Sequence, residues 1–170
     1  MSGSFLRRIP FFLALLGASG FAIGSYLTIA YWGDQPIACG GVGDCGYVKS
    51  SDYASVGGVP VSGLGALLYL AMALAAIGWI RYTELDWLPI AYWGLALSGA
   101  GYAAYLTYVE LAVLHAICVW CVTSALLLAV SLMLGSIAVF VEPEPGPAVG
   151  VRKAILGGGV RLHREREGGN

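Results

Sequence analysis

Four cysteines stand in two close pairs, Cys39-x5-Cys45 and Cys118-x2-Cys121. Thiol–disulfide exchange requires a thiolate, an accessible sulfur and room for a mixed disulfide. The first pair encloses Gly40, Gly41 and Gly43, and such glycines make closing and reopening a disulfide conformationally easy. Beside Cys45, Asp44 would raise its thiol pKa and Lys49, four residues further on, could lower it. The second pair, Cys118-Val119-Trp120-Cys121, sits near one end of the uncharged run from Leu111 to Val141. Two thiols three residues apart on a helix share a face, and a helix start favours the thiolate. This reads as a redox dithiol at the mouth of a membrane helix.

With Cys118 in the first turn and Cys121 one turn deeper, the four sulfurs are ordered by depth. That order fits a relay. A soluble dithiol outside reduces the loop pair, the loop pair reduces Cys118, and Cys121 delivers two electrons to a carrier in the bilayer. A quinone, which takes two electrons and two protons, is such a carrier. The competing readings are two permanent disulfides, a zinc site of four thiolates or a thiol carrier for soft metal ions. Each would make the chain a non-enzymatic membrane protein.

The elements that position these sulfurs follow from composition. Of 170 residues, 58% are hydrophobic and 11% charged, against about 25% charged in soluble domains. Mean hydropathy is +0.77. Four stretches reach the roughly 20 apolar residues a span needs: residues 11–32, 62–80, 88–109 and 117–140. The first is too long for a signal-peptide core and reads as a retained anchor. Arg7, Arg8, Arg81, Arg152, Lys153, Arg161, Arg164 and Arg166 fall on one side of this arrangement, and Lys49 on the other. The positive-inside rule places both termini in the cytoplasm. The loop 33–61 and the Cys118 end of the fourth span then face a periplasm-like or lumenal space that permits disulfides. The fold class is therefore all-α integral membrane, a four-transmembrane-helix bundle whose outward loop carries a short capping helix. The prokaryotic inner membrane is the expected location.

The spacing predicts a brief helix over 48–56, N-capped by Ser50 or Ser51 and broken by Gly57-Gly58-Val59-Pro60. It would lie over the bundle mouth as a lid. Glu110 to Ala116 reads as an interfacial turn, in which a buried Glu110 would be a functional candidate. His115 either relays protons or meets water and headgroups. Gly20 with Gly24 and Gly94 with Ser98 are small-xxx-small pairs, and Gly63, Gly65, Gly99 and Gly101 also invite close packing. Trp32, Trp79, Trp87 and Tyr108 read as interface anchors. Residues 1–141 form the membrane domain. Glu142-Pro143-Glu144-Pro145 cannot continue a helix, and 142–170 is expected to be a disordered cytoplasmic tail. Nothing points to nucleic acid.

The sequence resembles the vitamin K epoxide reductase family over roughly residues 11–140. The resemblance rests on Cys39 and Cys45, on Ser51 six residues later, on Gly58-Val59-Pro60 before the second span, and on Cys118-x-x-Cys121 opening the fourth. It implies four helices around a quinone of the ubiquinone, menaquinone or vitamin K type, with no metal. It implies catalytic roles for all four cysteines: Cys39 exchanges with a thioredoxin-like partner, Cys45 with Cys118, and Cys121 faces the quinone. It implies a place for Ser51 beside the quinone ring, where Val48 and Tyr53 of the lid would also make contact. Vertebrate members carry a Tyr four residues after the last cysteine, where Ala125 stands here, and an Asn in the second span, which 62–80 lacks. Both differences favour the bacterial role of reoxidising a disulfide-forming protein over epoxide reduction. The tail is too short for a thioredoxin domain, so the partner is expected to be a separate chain.

Overall fold

A computed structural model describes residues 8–33, 36–39, 43–82, 85 and 87–140. The tail 142–170 lies outside the described residues, as do Gly40 to Val42 of the first cysteine loop.

Four long helices dominate. Helix α1 spans Ile9–Trp32, with Pro10 in its first turn, where a missing N–H breaks no helical bond. Helix α2 is the short Cys45–Ser50 and is followed by a 3₁₀ turn, Asp52–Ala54. Strands β1 (Ser55–Val56) and β2 (Val59–Pro60) then form an antiparallel hairpin. Its turn residues Gly57 and Gly58 both have positive φ, +59° and +84°, a backbone that glycine adopts without penalty. Helix α3 spans Val61–Arg81, α4 spans Leu88–Tyr108, and α5 spans Val119–Phe140. Between the last two, Val109–Leu114 winds as a π-helix.

The four long helices begin and end within two residues of the stretches 11–32, 62–80, 88–109 and 117–140, but the connections differ. The brief outer helix starts at Cys45, not Val48, and Asp44 caps it by accepting the Tyr47 N–H at 3.1 Å. Ser50 and Ser51 stand at its other end and donate back to the carbonyls of Tyr47 and Val48, at 3.0 and 2.7 Å. Gly57-Gly58 makes a hairpin rather than a simple helix break. The expected turn over 110–116 is largely helical and ends at His115, whose φ of 50° is left-handed.

Among the described residues three helices, α1, α3 and α5, are long and apolar enough to cross a membrane. Helix α4 is comparable in length at 21 residues, but Tyr92, Trp93, Tyr102, Tyr105 and Tyr108 lower its hydropathy. Large apolar side chains face outward on the three apolar helices: Ile29, Leu67, Leu74, Leu126 and Met133 are all exposed. Such continuous apolar exposure suits lipid, not water. Trp32, Trp87 and Tyr108 are exposed at helix ends. Trp79 instead packs partly buried against the core.

Helices α1 and α3 run antiparallel in close contact. Gly17 lies against Ala73, Gly20 against the Tyr69 ring and Gly24 against Ala66. A Cβ on Gly24 would stand 3.0 Å from the Ala66 backbone, so the small-residue stripe sets the helix separation. The expected Gly20–Gly24 pair is thus one turn short of the full stripe. Gly99 is also enclosed, by Leu68 and Leu128. Gly94, Gly65 and Gly101 face open space, so the expectation of close packing there is corrected. Tyr69, Met72, Tyr92, Ala96 and Leu128 join Ile9 and Leu13 in one core. Two hydrogen bonds tie α3 and α4 to α5: Tyr69 Oη donates to the Ser124 carbonyl at 2.9 Å, and Trp93 Nε1 to Ser136 Oγ at 3.0 Å.

Candidate functional site: two cysteine pairs over one cavity

Helix α2 exists to hold Cys45. Asp44 satisfies its first turn, and Cys45, the first helical residue, is 2% exposed. A disulfide joins Cys45 to Cys39, with Cα atoms 6.4 Å apart. Neither sulfur of this pair titrates in this state, so the opposed influences of Asp44 and Lys49 on Cys45 do not operate. The Asp44 carboxylate is engaged by Tyr47, and Lys49 Nζ donates to the Ala30 carbonyl at 3.1 Å.

The second pair is free. Cys118 immediately precedes α5, and its carbonyl accepts the Val122 N–H at 3.0 Å, which makes it the N-cap residue. It is 5% exposed. The Cys121 thiol donates to the Cys118 sulfur and, aided by the N–H groups of Cys121 and Trp120, lowers its pKa to about 7 against burial and the Glu110 charge. Helix starts act on thiols in this direction. Cys121 follows one turn into α5 and is half-buried.

Glu110 completes this end of the bundle. The π-helix carries it inward to 4% exposure, and its Oε2 accepts the Cys118 N–H at 3.1 Å. A carboxylate oxygen and the two sulfurs lie within 4.8 Å of one another. Glu110 is therefore no interfacial turn residue. Among the described residues this is also the one group of His, Cys, Asp or Glu side chains tight enough to hold a metal ion. The four-thiolate zinc site does not form here, because Cys39 and Cys45 are joined to each other.

The two pairs meet through their flanking residues. The Asp44 N–H donates to the Ile117 carbonyl at 3.0 Å, so the residue before Cys45 is bonded to the residue before Cys118. Gly43, with φ of +82°, approaches Ile117 so closely that a Cβ would overlap the carbonyl oxygen. On the other flank, Trp120 Nε1 donates to the Ala38 carbonyl at 2.9 Å, beside Cys39. The Trp120 ring lies 5.7 Å from that of Tyr26, whose hydroxyl accepts the Ala38 N–H at 3.4 Å. Both dithiols thus occupy one end of the bundle, each held at its shoulders.

Beneath them lies a largely apolar cavity of about 380 Å³, within the usual range for small-molecule sites. Cys45, Val48, Ser51, Tyr53, Cys118 and Cys121 all contribute to its wall, as do Glu110, Lys49 and Trp120. Cys39 does not line it, and neither does His115, which is exposed. Ser51 faces the cavity with its hydroxyl proton directed to the Val48 carbonyl. Tyr53 is 41% exposed and sits at the rim.

Sequence reasoning offers Glu110 only as a conditional candidate, and it gives Trp120 and Tyr26 no place in the site. Only Glu110 left a signal there: a carboxylate bordering a long apolar run is costly unless it faces a cavity. The Trp120 and Tyr26 contacts depend on where the loop returns, which spacing does not encode. A family model described as the Vitamin K epoxide reductase family matches residues 11–136, a stretch that includes all four cysteines, Ser51 and Glu110.

Proposed function

The chain belongs to the vitamin K epoxide reductase family, and from that premise we propose that this membrane oxidoreductase oxidises a thioredoxin-like dithiol protein and passes the electrons to a membrane quinone. The reading assigns catalytic roles to Cys39, Cys45, Cys118 and Cys121. A partner thiolate attacks Cys39 and releases Cys45, and the partner's second thiolate then expels Cys39 as the partner disulfide closes. The Cys45 thiolate then exchanges with an oxidised Cys118–Cys121 pair. Finally the reduced pair is reoxidised by quinone in the cavity, with Cys121 nearest the ring.

One observation carries this reading: the residues flanking the loop disulfide bond directly to the residues flanking the second dithiol, Asp44 to Ile117 and Ala38 to Trp120. Exchange between pairs needs this proximity. The cavity supports the quinone step, since its size and apolar wall fit a substituted ring. Helix α2 and Ser51 would close it from the outer side, with Val48 and Tyr53 touching the substrate. For Ser51 to donate to a quinone oxygen, its hydroxyl must leave the Val48 carbonyl. In this reading α4 is the fourth crossing, and the positive-inside rule then has both termini in the cytoplasm and the cysteines outside.

Alkylation mass shift tests the reaction. Supplied with a reduced thioredoxin-like protein and a quinone, both cysteine pairs should cycle between thiol and disulfide. Pairs that stay fixed, or thiols protected only when zinc is present, would instead support a structural or metal-binding protein. Cys39→Ala should block oxidation of the protein partner yet spare oxidation of dithiothreitol, which can reach Cys118 without the loop.

A further inference from the structure

Glu110 presents a buried carboxylate whose Oε2 accepts the Cys118 N–H at 3.1 Å. It is grouped with both sulfurs of the second dithiol within 4.8 Å and forms part of the cavity wall. A carboxylate buried at the mouth of a membrane bundle is expensive, and it persists where it has a task. The quinone reaction contains one. The Cys121 thiol donates to the Cys118 sulfur, so Cys121 is the partner that holds its proton when the dithiol is reduced. That proton must leave before the sulfur can act.

We infer that Glu110 is the catalytic base that takes the Cys121 proton and delivers it to the substrate oxygen. This rests on the proposed function and deepens it. In the balanced step, the Cys121 S–H bond breaks and its proton moves to the Glu110 carboxylate. The Cys118–Cys121 S–S bond forms as two electrons pass from sulfur to quinone. Glu110 then protonates one quinone oxygen, and the other takes a proton from solvent, matching the one Cys118 had already released. The products are a disulfide, a quinol and Glu110 restored.

Several other titratable groups face this space. Lys49 on α2 lines the cavity with its ammonium on the Ala30 carbonyl. Tyr31, Tyr53, Tyr69 and Tyr102 line it from α1, the 3₁₀ turn, α3 and α4. Glu110 is the carboxylate grouped with both sulfurs.

The full chain in lipid nanodiscs, reduced with dithiothreitol and freed of it, is mixed with ubiquinone-1, and quinone reduction is followed in a single turnover from about pH 5.5 to 8.5. Glu110→Gln keeps an oxygen to accept the Cys118 N–H but cannot take a proton. It should slow the step by about 10²-fold at the acid end, and the defect should shrink by up to tenfold per pH unit as solvent hydroxide replaces the base. Glu110→Asp should recover part of the rate. The wild-type step should also run slower in D2O. A Gln variant as fast as wild type, or slowed equally at every pH, overturns the inference, the latter because a merely structural loss has no reason to be repaired by hydroxide. Should that variant not fold, the absence of a solvent isotope effect in the wild type overturns it as well. A wild-type protein that reduces no quinone overturns the proposed function itself, and this inference with it.

Discussion

At the scale of single residues, the two members of the second dithiol are unequal. Cys118 stands at a helix N-cap with the Cys121 thiol and two backbone N–H groups aimed at its sulfur, and its pKa falls to about 7. An ordinary thiol titrates near 8.5. Because only the thiolate reacts, alkylation of Cys118 should rise with pH and reach half its maximum near 7. Replacement of Cys121 by Ala removes the first donor, so the midpoint should move upward, towards the ordinary value. A rate profile by mass spectrometry checks both, and an unshifted midpoint in the variant would assign the effect to the helix start alone. His115 gives a second residue-scale prediction. Its left-handed φ of 50° strains a side chain with a Cβ by about 1 kcal/mol. His115→Gly should therefore leave stability unchanged or raise it by up to about 1 kcal/mol, which thermal unfolding in detergent can measure. If His115 instead served as an essential proton relay, activity would fall in that variant.

At the scale of elements, the α1–α3 contact is set by Gly17, Gly20 and Gly24. Gly24→Ala would press a Cβ onto the Ala66 backbone and force the helices apart, at a loss of about 1–3 kcal/mol. Gly94→Ala meets open space and should be neutral or slightly stabilising, since alanine favours helix. Resistance to unfolding by SDS separates the two outcomes, and equal behaviour would remove the stripe as the determinant of packing. The elements also show where sequence was informative. Apolar runs announced α1, α3 and α5 to within two residues, because a span advertises itself by length and hydropathy. The site's shape was less visible. A π-helix has no period of its own in a six-residue stretch, so Glu110 read as a turn residue. Asp44 was hidden as a cap because the helix it starts has only six residues, Cys45–Ser50. Ser50 and Ser51 met the same composition rule at the wrong end.

At the scale of the whole molecule, antiparallel packing of α1 on α3 and of α4 on α5 gathers the cysteines at one end and Arg8 and Arg81 at the other. With the positive end inside, exposed reporters should divide accordingly. In a cysteine-free background, Ser50→Cys should react with an impermeant maleimide on spheroplasts, and Arg81→Cys only after permeabilisation. Reversed labelling would invert the orientation. The relay itself requires only that Cys45 reach Cys118. That requirement is tested most directly with Cys39 and Cys121 both replaced by Ala, so that each remaining sulfur has lost its usual partner. Under mild oxidation, peptide mass spectrometry should then find Cys45 joined to Cys118 within one chain. Two free thiols, or links only between chains, would contradict a handover of electrons from the loop to the membrane dithiol.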